Sequence, residues 1–275
     1  MGKILVTGAT GNVGRHVVSQ LAEAGLEVRA LVRDPGRARL PVEMARGDLN
    51  VPETLHPALE DVESVFLLWP GFTTDNAAEV VAAIAKHARR VVYLSANVAQ
   101  LADEPATHYQ EIERLIRHSG LGWTFLRPGG FAANTLGWAG QIRQGVVRWP
   151  YGQAARSLIH EKDIAAVAVH VLTSAGHNGA TYVLTGPERL TQAEQVRVIG
   201  EVVGREVRWE EQPPEEARDQ LMAAWGDADF VDAALKTWES FVTTPEPVTD
   251  TVERLLGRPA LTFRQWAEDH AADLS

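Results

Sequence analysis

A chain of 275 residues, 45% of them hydrophobic, is long enough to bury a large core, and one compact body with two lobes is expected. Its formal net charge of -10, with arginines scattered instead of gathered into basic runs, opposes a phosphate backbone and argues against nucleic acid as a partner. Cysteine is absent, which excludes disulfides, thiolate metal sites and a cysteine nucleophile, and agrees with a reducing compartment, the cytoplasm.

The first residues, MGKILVTG, pass straight into a strand-like run with no export signal, and Val6 stands where myristoylation needs Ser or Thr. No stretch approaches the roughly 20 apolar residues of a membrane span, so no membrane partner is expected. KILVT reads as a strand. Val13, Val17, Val18 and Leu21 then recur at helical spacing until Gly25, and EVRALV is the next strand. The alternation continues through the strand VEMARGD, the helix-like PETLHPAL, the strand SVFLLW, an Ala-rich helix from about Asn76 to His87, and the strand VVYLS ending at Ser95. A helix from about Thr107 to Ser119 leads to WTFLRP, a sixth strand closed by Pro128. GGFAANTLGWAG reads as irregular, HEKDIAAVAVHVL as a helix, and TYVLTG as a strand returned to the sheet. Strands separated by helices need crossovers, so the fold class is α/β, a doubly wound parallel sheet. From Leu190 onward helices dominate, with one short strand, EVRWEE, and a Pro-bearing connector, TTPEPVTD. Residues 1–189 are expected to form the sheet domain and 190–275 a smaller, mainly helical lobe packed over the sheet's edge.

VTGATGNVG, Val6 to Gly14, sets three glycines at three-residue intervals between the first strand and the first helix. A pyrophosphate against a helix N-terminus is held by free backbone N–H groups and the positive end of the dipole, and a Cβ at the turn would keep it away. Gly8 is assigned to the tight turn, Gly11 to close approach of the phosphate and Gly14 to packing of helix on strand, with Thr10, Asn12 and Val13 completing the cradle. The spacing is G-x-x-G-x-x-G, and its place between strand and helix is what marks a dinucleotide site. Roughly 20 residues further on, an acidic side chain would take the ribose hydroxyls of NAD, and an arginine the 2′-phosphate of NADP. Arg33 precedes Asp34, with Arg37 and Arg39 close behind, so NADP (NADPH) is the expected cofactor and NAD the alternative. A competing reading has Asp34 and Arg37 only pairing across a solvated turn. Asp48 and Leu49, in GDLN, end the third strand where an adenine ring would lie, or else form a surface turn.

TGATGNVG, LVRD, GDLN, ERLIRHSGLGWTFLRPGGFAAN and the closing GRPALTFRQWAEDH together resemble the NmrA-like group of atypical short-chain dehydrogenases/reductases over nearly the whole chain. The resemblance implies a Rossmann-type domain, bound NAD(P) and a small second lobe over the nicotinamide end. Members include NADPH-dependent quinone, dye and isoflavone-type reductases, and also regulators that bind dinucleotide without turning it over. Ordinary members of the superfamily use Tyr-x-x-x-Lys, the lysine lowering the tyrosine pKa. Here none of Lys3, Lys86, Lys162 and Lys236 follows a tyrosine by four. Alignment on Glu113 and the SGL block puts Tyr109 where the lysine would be and Pro105 where the tyrosine would be. Epimerisation and alcohol oxidation need that activated base, whereas a reductase needs only a proton donor, and an unactivated tyrosine of pKa near 10 is protonated at pH 7. The resemblance places His108 and Tyr109 facing the nicotinamide, to donate or orient, and Ser95 at the position of the superfamily's catalytic serine or threonine. A packing tyrosine, a surface histidine and a turn-closing serine are the alternatives.

Open α/β sheets bind ligands at the carboxyl ends of their strands. Leu68, Trp69 and Pro70 after the fourth strand, Ser95 after the fifth, and Pro128, Gly129 and Phe131 after the sixth are therefore expected along the cofactor. Trp69, Phe131, Asn134, Trp138 and Trp149 point to an aromatic pocket for a flat small-molecule substrate, core packing being the alternative for any single tryptophan. G-x-S-x-G and P-loop motifs are absent and the nine histidines lack metal-ligand spacing, so no metal is expected, and His160 to Asp163 read as a helix start. The expected function is NADPH-dependent reduction of a small conjugated or aromatic-like acceptor: a quinone, imine, enone or dye. The runner-up is a dinucleotide-binding sensor without turnover, and a nucleotide-sugar epimerase comes third.

Overall fold

Strands buried on both faces carry continuous apolar runs, and KILV, VRALV and RVVYL are of that kind. The computed structural model describes residues 2–71, 73–97 and 107–275. In chain order the first elements are β1 (Lys3–Val6), α1 (Gly14–Glu23), β2 (Val28–Val32), β3 (Glu43–Arg46), α2 (Leu55–Ala58), β4 (Val62–Leu68), α3 (Ala77–His87), β5 (Arg90–Leu94), α4 (His108–His118) and β6 (Gly122–Pro128). There follow α5 (Ala139–Gln144), β7 (Val146–Trp149), β8 (Ala155–Arg156), α6 (Glu161–Thr173), β9 (Ala180–Leu184), β10 (Leu190–Thr191), α7 (Gln192–Val202) and β11 (Arg208–Glu211). The chain closes with α8 (Pro214–Trp225), α9 (Ala228–Thr243), α10 (Thr251–Leu256), α11 (Phe263–Asp269) and α12 (Ala271–Leu274).

Seven strands form one sheet in the order β3-β2-β1-β4-β5-β6-β9, every pair parallel. The order reverses between β1 and β4, which opens a crevice outside their carboxyl ends. Successive residues of a strand face opposite ways, and β1 shows it. Ile4 and Val6 join Val17, Val18 and Leu21 of α1 and Ile164, Val167 and Val171 of α6 on one face. Leu5 joins Val80 and Ile84 of α3 and Ile112 and Ile116 of α4 on the other. Reciprocal caps start α4 (Thr107 with Gln110), α7 (Thr191 with Glu194) and α11 (Thr262 with Gln265).

A third core, around Trp266, Phe263, Ile199 and Val196, belongs to the C-terminal lobe and also takes in Ala132, Trp138, Ile142, Val147 and Leu158. Two small ladders knit the lobe together, β11 parallel to β7 and β10 antiparallel to β8. The α8–α9 hairpin has its own apolar contacts among Ala217, Leu221, Val231 and Leu235. The structure differs from the sequence reading in detail. The third strand stops at Arg46, because the chain turns at Gly47, whose absent side chain leaves room for Leu31. The segment read as irregular contains a 3-10 helix, Ala132–Trp138, and among the C-terminal helices the 16-residue α9 is started by the Asp227 side chain.

Candidate active site

The glycine turn is built as its composition demands. Gly8 has φ +60, the left-handed region, and the Gly11 N–H donates to its carbonyl at 2.9 Å. An ideal Cβ on Gly14 would lie 2.1 Å from the Gly8 oxygen and 3.0 Å from the Ala9 Cα, so the first residue of α1 packs on the turn itself. Thr7 ties the neighbouring strand ends together: its hydroxyl accepts from the Leu68 N–H at 2.8 Å and donates to the Leu68 carbonyl at 3.1 Å. A cleft of about 820 Å³ runs along this edge. Gly8, Thr10, Arg33, Asp48, Leu49, Leu68 and Pro70, all expected as cofactor residues, line it together. Gly11, Asn12 and Gly14, also expected there, follow in the same turn but do not line the cleft, and the Val13 side chain turns into the core. A turn held left-handed at Gly8, which with Thr10 lines an open crevice at the sheet's reversal point, fits a dinucleotide diphosphate.

Arg33 is exposed at the cleft, and its guanidinium has no hydrogen-bond or ion-pair partner among the described residues. Asp34 is occupied within its own turn, accepting from the Gly36 N–H at 3.0 Å and lying 3.8 Å from Arg37 Nε. That pair is the competing reading made real, and between such exposed side chains it contributes little. Asp48 likewise serves a turn, accepting from the Asn50 N–H at 2.9 Å, yet the same turn forms the cleft wall.

At the end of β5, Ser95 is buried and donates to Glu113 at 2.7 Å. Glu113 in turn pairs with Arg127 of β6 and, at 3.3 Å, with Arg117. The Ser95 proton is thereby committed, leaving only oxygen lone pairs for any ligand. His108 and Tyr109 open α4, their rings 3.9 Å apart, with Tyr109 half-buried against the second-face core. Burial raises the Tyr109 pKa and lowers that of His108, so both stay uncharged at neutral pH. Deeper in the same core, the Tyr93 hydroxyl is enclosed without a hydrogen-bond partner among the described residues, and burial raises its pKa strongly. Pro105 lies outside the described residues.

A second cavity, of about 80 Å³, begins just beyond β6. Phe131, Asn134, Trp138 and Trp149, four of the five residues expected in a substrate pocket, line it. The fifth, Trp69, is placed elsewhere, its ring N–H donating to the Thr73 carbonyl at 2.9 Å. Trp238 of α9 completes the aromatic wall, 5.5 Å from Trp149. Sequence reasoning missed Trp238, Gln192, Gln195 and above all Arg156, which also line it. Arg156 is paired with Glu246 from the TTPEPVTD connector, and the one local signal was an acid set between Pro245 and Pro247. Pro128 and Gly129 support the site through main-chain bonds, the Pro128 carbonyl accepting from Asn97 and the Gly129 N–H donating to Leu184. Among the described residues no group of three or more His, Asp or Glu is arranged to hold a metal, and no helix is long and apolar enough to cross a membrane.

A family model described as NAD(P)H-binding matches residues 8–175, more than half of the chain. The (4-alkanoyl-5-oxo-2,5-dihydrofuran-3-yl)methyl phosphate reductase of Streptomyces griseus subsp. griseus is 40% identical over 98% of each chain. The NAD(P)H azoreductase of Xenophilus azovorans is 37% identical, again over 98% of each. Among solved structures, the triphenylmethane reductase of Citrobacter sp., crystallised with NADP(H), is 25% identical and superposes with a TM-score of 0.81 over 98% of this chain and 99% of that one.

Proposed function

The chain belongs to the NAD(P)H-binding family, and on that premise we propose that it is an NADPH-dependent reductase of small conjugated acceptors such as quinones, azo compounds or dyes. The observation that carries the reading is an aromatic cavity starting at the carboxyl end of β6, on the same sheet edge as the glycine-turn cleft, in a chain similar along its whole length to reductases. The main-chain amides after Gly8 would hold the diphosphate, Arg33 the 2′-phosphate, and the Asp48–Leu49 turn the adenine. When bound, NADPH supplies a hydride from C4 of its nicotinamide. Phe131 and Trp149 orient a flat acceptor, and the phenol of Tyr109, kept protonated by burial, supplies the proton that reduction consumes. No standing cation at His108 competes for that role. Residues 190–275, with the 132–158 segment they pack on, cap the acceptor and exclude water. A cysteine-free chain drawing on a reduced nicotinamide suits the cytoplasm.

The test is loss of absorbance at 340 nm when the purified protein meets NADPH and a panel of quinones, azo dyes and triphenylmethane dyes. Turnover on at least one class supports the reading, with NADPH consumed 1:1 with a quinone or triphenylmethane dye and 2:1 with an azo dye cleaved to its amines. Tight NADPH binding by calorimetry without turnover on any acceptor would replace it with the sensor reading.

A further inference from the structure

The aromatic cavity holds one arginine, and that arginine is built in. Arg156 lies on β8 with a side chain 15% exposed, and its Nε donates to Glu246, itself 3% exposed, at 3.0 Å. Glu246 also accepts from the main-chain N–H of Ser157 at 3.0 Å and of Gly130 at 3.3 Å. The pair occupies the space that side chains after β6 would take. An ideal Cβ would lie 2.5 Å from Glu246 on Gly129 and 2.3 Å from Arg156 Nη2 on Gly130. The guanidinium face rests on Phe241, with Cζ 4.6 Å from the ring centre. One edge and one face are thus fixed, and the two Nη groups at the end of the fork meet no acceptor among the described residues.

Among the described residues that line the cavity Arg156 is the one cation; Asn134 is a neutral donor and the Thr135 hydroxyl donates to the Ala132 carbonyl. Gln192 spends its N–H groups on the Pro150 and Tyr151 carbonyls, and Gln195 donates to the Leu190 carbonyl. Glu246 is occupied by three donors, so a group arriving at the Nη end meets guanidinium hydrogens first. A rigid planar fork of this kind matches an oxyacid better than a single carbonyl. The volume agrees: about 80 Å³ is far below the 300–1,000 Å³ of a whole-ligand pocket and suits a substituent.

Building on the reading of this cavity as part of the acceptor site, we propose that it selects conjugated acceptors carrying an acidic group (carboxylate, sulfonate or phosphate), which enters the cavity and binds the Nη groups of Arg156 while the ring stays outside it, toward the carboxyl end of β6. The test compares 1,4-naphthoquinone with its 2-sulfonate in the wild type, Arg156→Gln and Arg156→Lys. The expected result is a fall in kcat/KM about 30-fold greater for the sulfonate than for the neutral quinone in Arg156→Gln. Arg156→Lys, which keeps a cation beside Glu246 and loses the fork, should fall between. Calorimetry with non-reducible benzenesulfonate and uncharged benzenesulfonamide reads the same preference without turnover. Equal losses on both quinones, or no loss on either, overturn the inference. Charge-selective binding of benzenesulfonate with no quinone reduced would leave it standing and remove the reductase reading instead.

Discussion

A methyl group at Gly14 meets the Gly8 carbonyl oxygen at 2.1 Å, and backbone on both sides leaves nothing flexible to yield. Gly14→Ala should therefore cost about 1–3 kcal/mol of stability, and the same displacement, read by calorimetry, should weaken NADPH binding by about tenfold or more. Unchanged NADPH affinity would mean that the turn does not hold the diphosphate. Arg33 bears on a different question. Its partner-free guanidinium should favour NADPH over NADH, so Arg33→Ala is expected to raise the Kd for NADPH by about 10–100-fold and leave that for NADH nearly unchanged. Equal losses would shift the cofactor preference to NAD. If Tyr109 donates the proton, Tyr109→Phe should lower kcat by about 100-fold with little change in NADPH affinity; a wild-type kcat would reduce it to a packing residue. The glycine turn and the position of Arg33 at the cleft were legible because each rests on a local pattern: three glycines before a helix, or an arginine directly after a strand. The Arg156–Glu246 pair was not, since its members lie 90 residues apart and nothing in AARSLI or TTPEPV announces the other.

Elements were legible where one period governs a whole segment. The apolar strands and the helices covering them declared themselves by burial on both faces or on one stripe, and the parallel sheet followed from their alternation. Two-residue strands such as β8 and β10 carry no period, and their pairing is set by tertiary contacts alone. The start of α6 shows how much such contacts add. Read as a plain helix start, it does cap its helix through His160, which accepts from the Lys162 N–H at 3.2 Å. It also anchors the C-terminal helices: Glu161, wholly buried, accepts from His270 at 2.6 Å, and His160 and Lys162 both engage Asp269. Burial alone raises the Glu161 carboxyl, but the adjacent His160 ring and hydrogen bonds from the backbone and His270 outweigh it and hold the pKa down at about 2. A carboxyl depressed on folding stabilises the native state above its unfolded value near 4.5 and ceases to do so as pH falls from there through about 2. Urea unfolding of Glu161→Gln should therefore show a deficit of about 1.5–3 kcal/mol against the wild type, constant from pH 7 to about 5 and shrinking below 4.5. A deficit independent of pH down to the acid transition would mean that this carboxylate is not what ties the tail down.

For the whole molecule, the glycine-turn cleft draws on the loops after β1 to β4, and the aromatic cavity on residues from Phe131 to Trp238. The two are joined through the lobe's attachments to the sheet domain. Val252 of α10 enters the first-face core, the Leu261 N–H donates to Asp163 at 2.6 Å, and Glu246 fills the space beside Gly129. Beyond the acid between Pro245 and Pro247 these attachments have no local signal, which is why the sequence divides at residue 189 while the third core crosses that line. With so much shared burial the chain should melt in one transition, and the cofactor, binding only the folded form, should shift it as a unit. At a concentration 100 times its Kd, NADPH adds about 2.7 kcal/mol, a rise of about 5–10 °C for a chain of this size. Calorimetric scans with and without NADPH decide the point: one peak moving upward shows the lobe and the sheet domain unfolding together, whereas two peaks of which only one moves would show the cap to be an independent body.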